Sequence, residues 1–265
     1  MIRIDIESNI DAVNLDWFLS VLPAVNQPEF KPKTPLLDRE DHEYHWVFKN
    51  LDFINWDRGN SGVLWLSAPP DCDLQKVASS ILQRELDKSP QTHKRTLYYY
   101  CGTNATDLPT IKTFIRELAL QVISSAAEAK QASIVRTFLR TILHHMFKRA
   151  ASATLLQWLS GYIEDHLCDL LDAPEDSLWA ALWAILPTEQ DRSLSVFITG
   201  IEYVCREHEF IRAIRDFIKA LQSTGRAKVL LTSGIDFETR EILRGLPYID
   251  YDEERKGLAI SPLGL

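Results

Sequence analysis

Short runs of β-branched, aliphatic and aromatic residues, set between longer helical stretches, constrain this chain more than any other feature. Val63–Ser67 is an apolar run behind a turn at Arg58–Gly62, and Thr96–Cys101 is aromatic nearly throughout. Leu194–Thr199 and Lys228–Thr232 follow late in the chain. Runs this short and apolar read as strands buried in a sheet. Apolar residues recur at helical spacing in Pro109–Ser125, Ala129–Ala150, Ser152–Leu171 and Glu175–Leu186, and a further helix, Arg206–Ser223, separates the two late strands. Strands alternating with helices pair in parallel, because a parallel neighbour needs a crossover long enough to hold a helix. The expected fold class is therefore α/β: a mainly parallel sheet flanked by helices, with a large helical insertion between the second and third strands.

The 265 residues suffice for one large core or two small ones. A helix is expected around Asn9–Leu22, stopped by Pro23, followed by an irregular linker over Asn26–Pro35. Residues 1–43 would thus precede an α/β domain over 44–265 whose helical insertion spans about 109–186. A helix near Glu43–Asn50 and a short element over Leu51–Trp56 lead into the first strand. Tyr248–Tyr251 and Gly257–Ile260 are candidates for a last strand or edge hairpin.

A formal net charge of −8 argues against a nucleic-acid binder, which needs a basic surplus to meet phosphates. Arg206, Arg212, Arg215, Lys219, Arg226 and Lys228 make a local basic stretch, most of it spaced as a solvated helix face. Cys72, Cys101, Cys168 and Cys205 form no C-x-x-C pair, so neither a zinc site nor a disulfide framework is expected, and a reducing, cytoplasmic setting is. The N-terminus carries acids where a signal peptide is basic, and no apolar window approaches the length of a membrane span.

Val63–Leu86 reads as strand, tight loop and helix, the layout of a phosphate-binding loop. Such a loop needs G-x-x-x-x-G-K-[ST]: glycines turn backbone N–H groups onto the phosphates, lysine neutralises them, and the hydroxyl holds Mg²⁺. The four motif positions hold Ala68, Asp73, Leu74 and Gln75, with a further acid at Asp71. A charge pair at about 4 Å is worth on the order of 4 kcal/mol at an effective dielectric near 20. Leucine in place of lysine forfeits attraction on that scale, and two acids beside a polyanion add repulsion. Since about 1.4 kcal/mol is tenfold in affinity, ordinary nucleotide binding at this loop is expected to be lost. Asp71 or Asp73 is expected instead to cap the helix that starts near Leu74.

In order and context, several stretches resemble the NACHT-type domain of STAND NTPases, particularly its fungal versions. His45–Phe48 with Phe53 and Trp56 resembles the segment leading into the first strand of those domains. Leu64–Pro70 is similar to that strand and the opening of its P-loop, Val77–Leu82 to the following helix, and Tyr98–Cys101 to the aromatic second strand. Val196–Cys205 resembles the Walker B stretch and Val229–Gly234 the sensor strand; the likeness covers roughly 44–234. The resemblance places Thr199 where the Mg²⁺-water aspartate belongs, Glu202 and Tyr203 at the acidic pair, and Gly234 at the sensor arginine. A phenol titrates near 10 in water, too high for a base at neutral pH. One surviving acid, Glu202, without lysine or Mg²⁺, does not make a hydrolase.

Other constellations carry less. His42 and His45 stand at H-x-x-H spacing among acids and read as an exposed helix start, while His144 and His145 are consecutive and point apart on a helix. No G-x-S-x-G occurs, and Cys72, flanked by aspartates, reads as inert. Trp179 and Trp183, an i, i+4 pair, read as packing. The resulting expectation is a catalytically inactive, NACHT-like pseudo-NTPase without nucleotide, cofactor or metal, acting as a protein–protein interaction or assembly module. The resemblance implies partners of an NLR-like or other multiprotein kind, with no nucleic acid and no membrane, the contacts falling on helical residues 109–186 and the acidic surface. The alternative is a small-molecule-binding protein that uses the former nucleotide cleft, with Asp71, Asp73 and Glu202, for a neutral or cationic ligand. An unconventional hydrolase or transferase on the same cleft has no motif to support it.

Overall fold

A computed structural model describes residues 45–69, 72–92, 95–102, 109–128, 132–149, 173–186, 194–204, 207–235 and 237–250. The expected helices at Asn9–Leu22 and Ser152–Leu171, the linker at Asn26–Pro35, the strand candidate Gly257–Ile260, and His42, Asp71, Cys168 and Cys205 lie outside them.

The described elements run α1 (His45–Lys49), α2 (Leu51–Arg58), β1 (Gly62–Ala68), α3 (Leu74–Thr92), β2 (Arg95–Tyr100), α4 (Ile111–Glu128), α5 (Ala132–Arg149) and α6 (Glu175–Ile185). They continue through β3 (Leu194–Thr199), a 3₁₀ turn at Ile201–Val204, α7 (His208–Ser223), β4 (Ala227–Gly234), α8 (Phe237–Ile242) and β5 (Tyr248–Asp250). All five strands pair in parallel, in the order β2-β3-β4-β1-β5. The fold is thus the expected parallel α/β sheet flanked by helices, with a helical stretch inserted between β2 and β3. Two elements were not foreseen, the 3₁₀ turn and α8, each too short to show a helical period.

Burial explains the strand order. The central strands β1, β3 and β4 are buried almost end to end, as a parallel sheet covered on both faces requires. β2, at one edge, alternates buried with half-buried residues, and β5, at the other, is only three residues long. Leu64, Leu66 and Ala68 of β1, Phe197 of β3 and Leu230 of β4 face a core filled by Trp46 of α1, Phe53 and Trp56 of α2, and Val77 and Ile81 of α3. On the opposite face α7 buries a stripe of Phe210, Ile211, Ile214, Phe217, Ile218 and Leu221, and Phe210 meets Tyr99 of β2.

Local chemistry sets the helix starts. Asn50 caps α2 by accepting from the N–H groups of Asp52 at 2.7 Å and Phe53 at 3.2 Å. Within the basic stretch, Arg212 and Lys219 are exposed on α7, whereas Lys228, at the start of the expected strand Lys228–Thr232, lies on β4 and is 1 % exposed. Its ammonium is 3.9 Å from the equally buried Glu85, donates to the Asp57 carbonyl at 2.9 Å and sits 4.3 Å from the Trp56 ring centre. Strand position, not helical spacing, governs that residue.

The described residues of Ile111–Gln190 form one compact unit, and those of Gln27–Thr110 with Asp191–Leu265 form another. The first is helical. Phe114 of α4 meets Trp179 of α6 edge-on, and Trp183 stacks on Trp179 with ring centres 6.4 Å apart. Glu117 of α4 is buried there, and burial raises its carboxyl above the ordinary value, with Arg116 pulling it partly back.

Candidate functional site

In a parallel sheet with helices on both faces, ligands meet the carboxyl ends of the strands. Here β1 and β4 end side by side, Ala68 opposite Gly234, and β2 and β3 end on Tyr100 opposite Thr199. Of the residues singled out in the sequence, Ala68, Asp73, Leu74, Gln75, Thr199, Glu202, Tyr203 and Gly234 fall at or just beyond these ends.

The loop after β1 enters α3 through Asp73. Its carboxylate accepts from the Lys76 N–H at 3.0 Å, and its own carbonyl accepts from the Lys76 and Val77 N–H groups. Asp73 is therefore the N-cap of α3, as the sequence led us to expect of Asp71 or Asp73; a fixed carboxylate lies on an amide that a phosphate would otherwise attract. Leu74, at the lysine position, is buried and packs in the core with Val77 and Ile81. Gln75, at the hydroxyl position, is exposed and accepts from the Tyr100 hydroxyl at 3.5 Å, a long contact at the limit of a hydrogen bond.

Glu202 and Gly234 meet directly. The 3₁₀ turn after β3 carries the Glu202 carboxylate to the backbone N–H of Gly234, 3.1 Å away. A side chain at position 234 would place its Cβ 3.1 Å from Glu202 Cβ, so glycine is what admits the approach. Burial raises the Glu202 carboxyl above its ordinary value, while N–H bonds from its own backbone and from Gly234 pull it back. Thr199 is buried, and its hydroxyl has no hydrogen-bond partner.

Tyr203 is half exposed, its ring 6.0 Å from that of Tyr100 in an edge-on contact. Gly200, at φ +77°, turns the chain out of β3 and donates to the Thr232 hydroxyl at 3.3 Å. A Cβ there would fall 2.9 Å from the Tyr100 ring, and one at Gly102 would fall 2.0 Å from it. The Tyr100 ring therefore lies directly on backbone. Burial pushes its hydroxyl well above the ordinary phenol value, assisted by the Tyr203 hydrogen bond and the Glu202 charge. Cys101 is buried, and burial first and Glu202 second raise its thiol.

The spacing of the motif residues did not reveal Tyr100, Cys101, Gly102, Gly200 or Thr232. The aromatic run at Tyr98–Tyr100 was the available signal, since two-residue alternation sets Tyr100 on the α3 side with Tyr98, next to the Walker B turn. Asp73 and Glu202, grouped in the sequence as a shared acidic cleft, instead engage separate amides. Asp71, the third acid of that group, lies outside the described residues.

These groups do not fit a Mg²⁺–polyphosphate. The lysine position is a core leucine, and carboxylates cover two of the backbone N–H groups at the strand ends. His144 and His145 have ring centres 6.4 Å apart, and no group of three metal-ligating side chains occurs among the described residues.

A family model described as Nephrocystin 3, N-terminal, matches residues 42–137. That stretch runs from the helices before β1 through the loop after β1, α3 and β2 into the helical insertion. A comparison with curated proteins returns no match. The chain is thus similar over residues 42–137 to a nephrocystin 3 N-terminal region, a distant NTPase-like relationship carried on a P-loop-like parallel sheet.

Proposed function

We propose that this chain is a degenerate NTPase domain of NACHT-like ancestry that acts by binding other proteins rather than by turning over nucleotide. The observation that carries the reading is the Glu202–Gly234 contact. An internal carboxylate holds the amide at the sensor position, and a side chain there would crowd Glu202, its Cβ only 3.1 Å from the Glu202 Cβ. Asp73 does the same at the start of α3, and Leu74 supplies no charge. A polyphosphate entering here would meet two fixed carboxylates, each costing it attraction on the scale of several kcal/mol before screening. With its chemistry absent, an α/β framework of this size keeps value as a surface, and a net charge of −8 favours protein partners over nucleic acid.

Calorimetric titration with Mg²⁺ and ATP, GTP or ADP is expected to give no heat. Micromolar binding of any of them, weakened by Glu202→Ala, would overturn the pseudo-NTPase reading. Complexes isolated from the native cell at near-stoichiometric ratio, with members identified by mass, test the second half; a chain that runs free of protein partners would count against it.

A further inference from the structure

A second cleft, of about 530 Å³, opens at the start of β5, apart from the strand ends that carry the degenerate motifs. Trp65, Arg240, Glu241, Arg244, Leu246 and Tyr248 line it. Its size falls within the range of small-molecule sites, about 300–1,000 Å³. We propose that this cleft binds a small aromatic monocarboxylate.

The apolar half of the site is preformed. Tyr248 pairs with Trp65 in the β1–β5 register, and their rings lie 5.5 Å apart, tilted by 45°. The Trp65 backbone N–H donates to the Pro247 carbonyl at 3.0 Å and its indole N–H to the Ser233 hydroxyl at 2.8 Å; Trp65 is 2 % exposed, so its indole backs the wall and holds the Tyr248 ring that faces the cleft. Tyr248 leaves 45 % of its surface uncovered, and Gly245, at φ +92°, bends the chain around open space. A planar ring can lie along that wall, gaining the offset or edge-on contact that aromatic pairs favour.

The polar half lacks an acceptor. Arg240 is anchored by Asp250, yet its Nε is buried with no hydrogen-bond partner. That nitrogen is closed to the cleft, but 35 % of the Arg240 side chain is exposed, and a guanidinium paired to one carboxylate keeps further N–H donors for a ligand oxygen. Arg244 is 80 % exposed and bonded only loosely, 3.6 Å from Glu241. Two guanidinium groups beside an aromatic wall suit a carboxylate on a ring. Glu241 on the wall and Asp250 behind Arg240 offset part of the cationic charge and disfavour a second negative charge, so the fitting ligand is a monoanion rather than a phosphate ester.

The test is calorimetry of the full chain with indole-3-propionate as the probe, with 3-methylindole lacking the carboxylate and phenyl phosphate carrying a second charge. Saturable binding of indole-3-propionate is expected, weaker by about tenfold or more in Arg244→Gln and in Arg240→Lys, which keeps a cation for Asp250 but removes the planar guanidinium fork. Both comparison compounds should bind at least about tenfold more weakly. Three results would each overturn the assignment: no saturable binding at millimolar probe, an unchanged affinity in Arg244→Gln, or equal binding of 3-methylindole. Circular dichroism of the variants separates lost binding from lost folding, and Arg244→Gln, an exposed change, serves if Arg240→Lys unfolds.

Discussion

Glu202 lies three residues beyond β3, yet its carboxylate is fixed to an amide thirty-two residues on, at Gly234. Tyr100 and Cys101 lie near it, and burial together with the Glu202 carboxylate raises both of their titrations, so each resists ionising. Because burial raises the Glu202 carboxyl, the folded chain holds that proton more tightly than the unfolded chain does. Stability from this group is therefore highest in acid and falls as pH rises from about 4.3, the ordinary glutamate value, through the raised native value. Glu202→Gln keeps an acceptor for the Gly234 N–H and removes the charge. It should be more stable than the parent at pH 7, with the difference vanishing below about pH 4, in urea denaturation across that range. A variant less stable than the parent at pH 7, with the deficit vanishing in acid, would mean that the ionised carboxylate is needed by Gly234.

Among the elements, β4 has the most demanding sequence, because it is buried on both faces and still carries Lys228. The ammonium survives there through Glu85 from α3, the Asp57 carbonyl at the end of α2 and the Trp56 ring, so one ion pair ties two helices to the sheet. Ser195 of β3 supplies Glu85 with a further donor at 3.4 Å. Removing one partner strands the other without water. Lys228→Met should cost about 3–5 kcal/mol by chemical denaturation, whereas Lys228→Met with Glu85→Leu should recover most of the loss. Equal losses in the single and double variants would instead assign the cost to packing.

At the scale of the molecule, the surface is set by a formal charge of −8. The exposed cations of α7 are interleaved with Glu209 and Asp216, and Arg215 pairs with Asp216 at 3.2 Å. No continuous basic face forms along that helix. Fluorescence anisotropy of a labelled DNA duplex at low salt should stay flat as the chain is added, because a phosphate backbone binds where cations outnumber acids. A rise that disappears with added salt would reveal a basic face contributed from elsewhere in the chain. No described helix is long and apolar enough to cross a membrane.

Much of this was legible in the sequence, for a local reason. A strand buried on both faces must be apolar along its length, so Val63–Ser67, Leu194–Thr199 and Lys228–Thr232 announced β1, β3 and β4 to within a few residues. An acidic cap on α3 was visible too, as Asp71 or Asp73, since an N-cap depends only on the next three residues; the structure shows it at Asp73. The order β2-β3-β4-β1-β5, the burial of Lys228, the reach of Glu202 to Gly234 and the seat of Tyr100 on two glycines were not. Each depends on which strand ends become neighbours, and that is decided by packing between segments tens to hundreds of residues apart. The sequence by itself determined the strands, the parallel sheet and the absence of a G-x-x-x-x-G-K-[ST] pattern after β1; the tertiary structure alone decided that Asp73 and Glu202 hold backbone amides beyond the strand ends, because those contacts depend on which segments pack together.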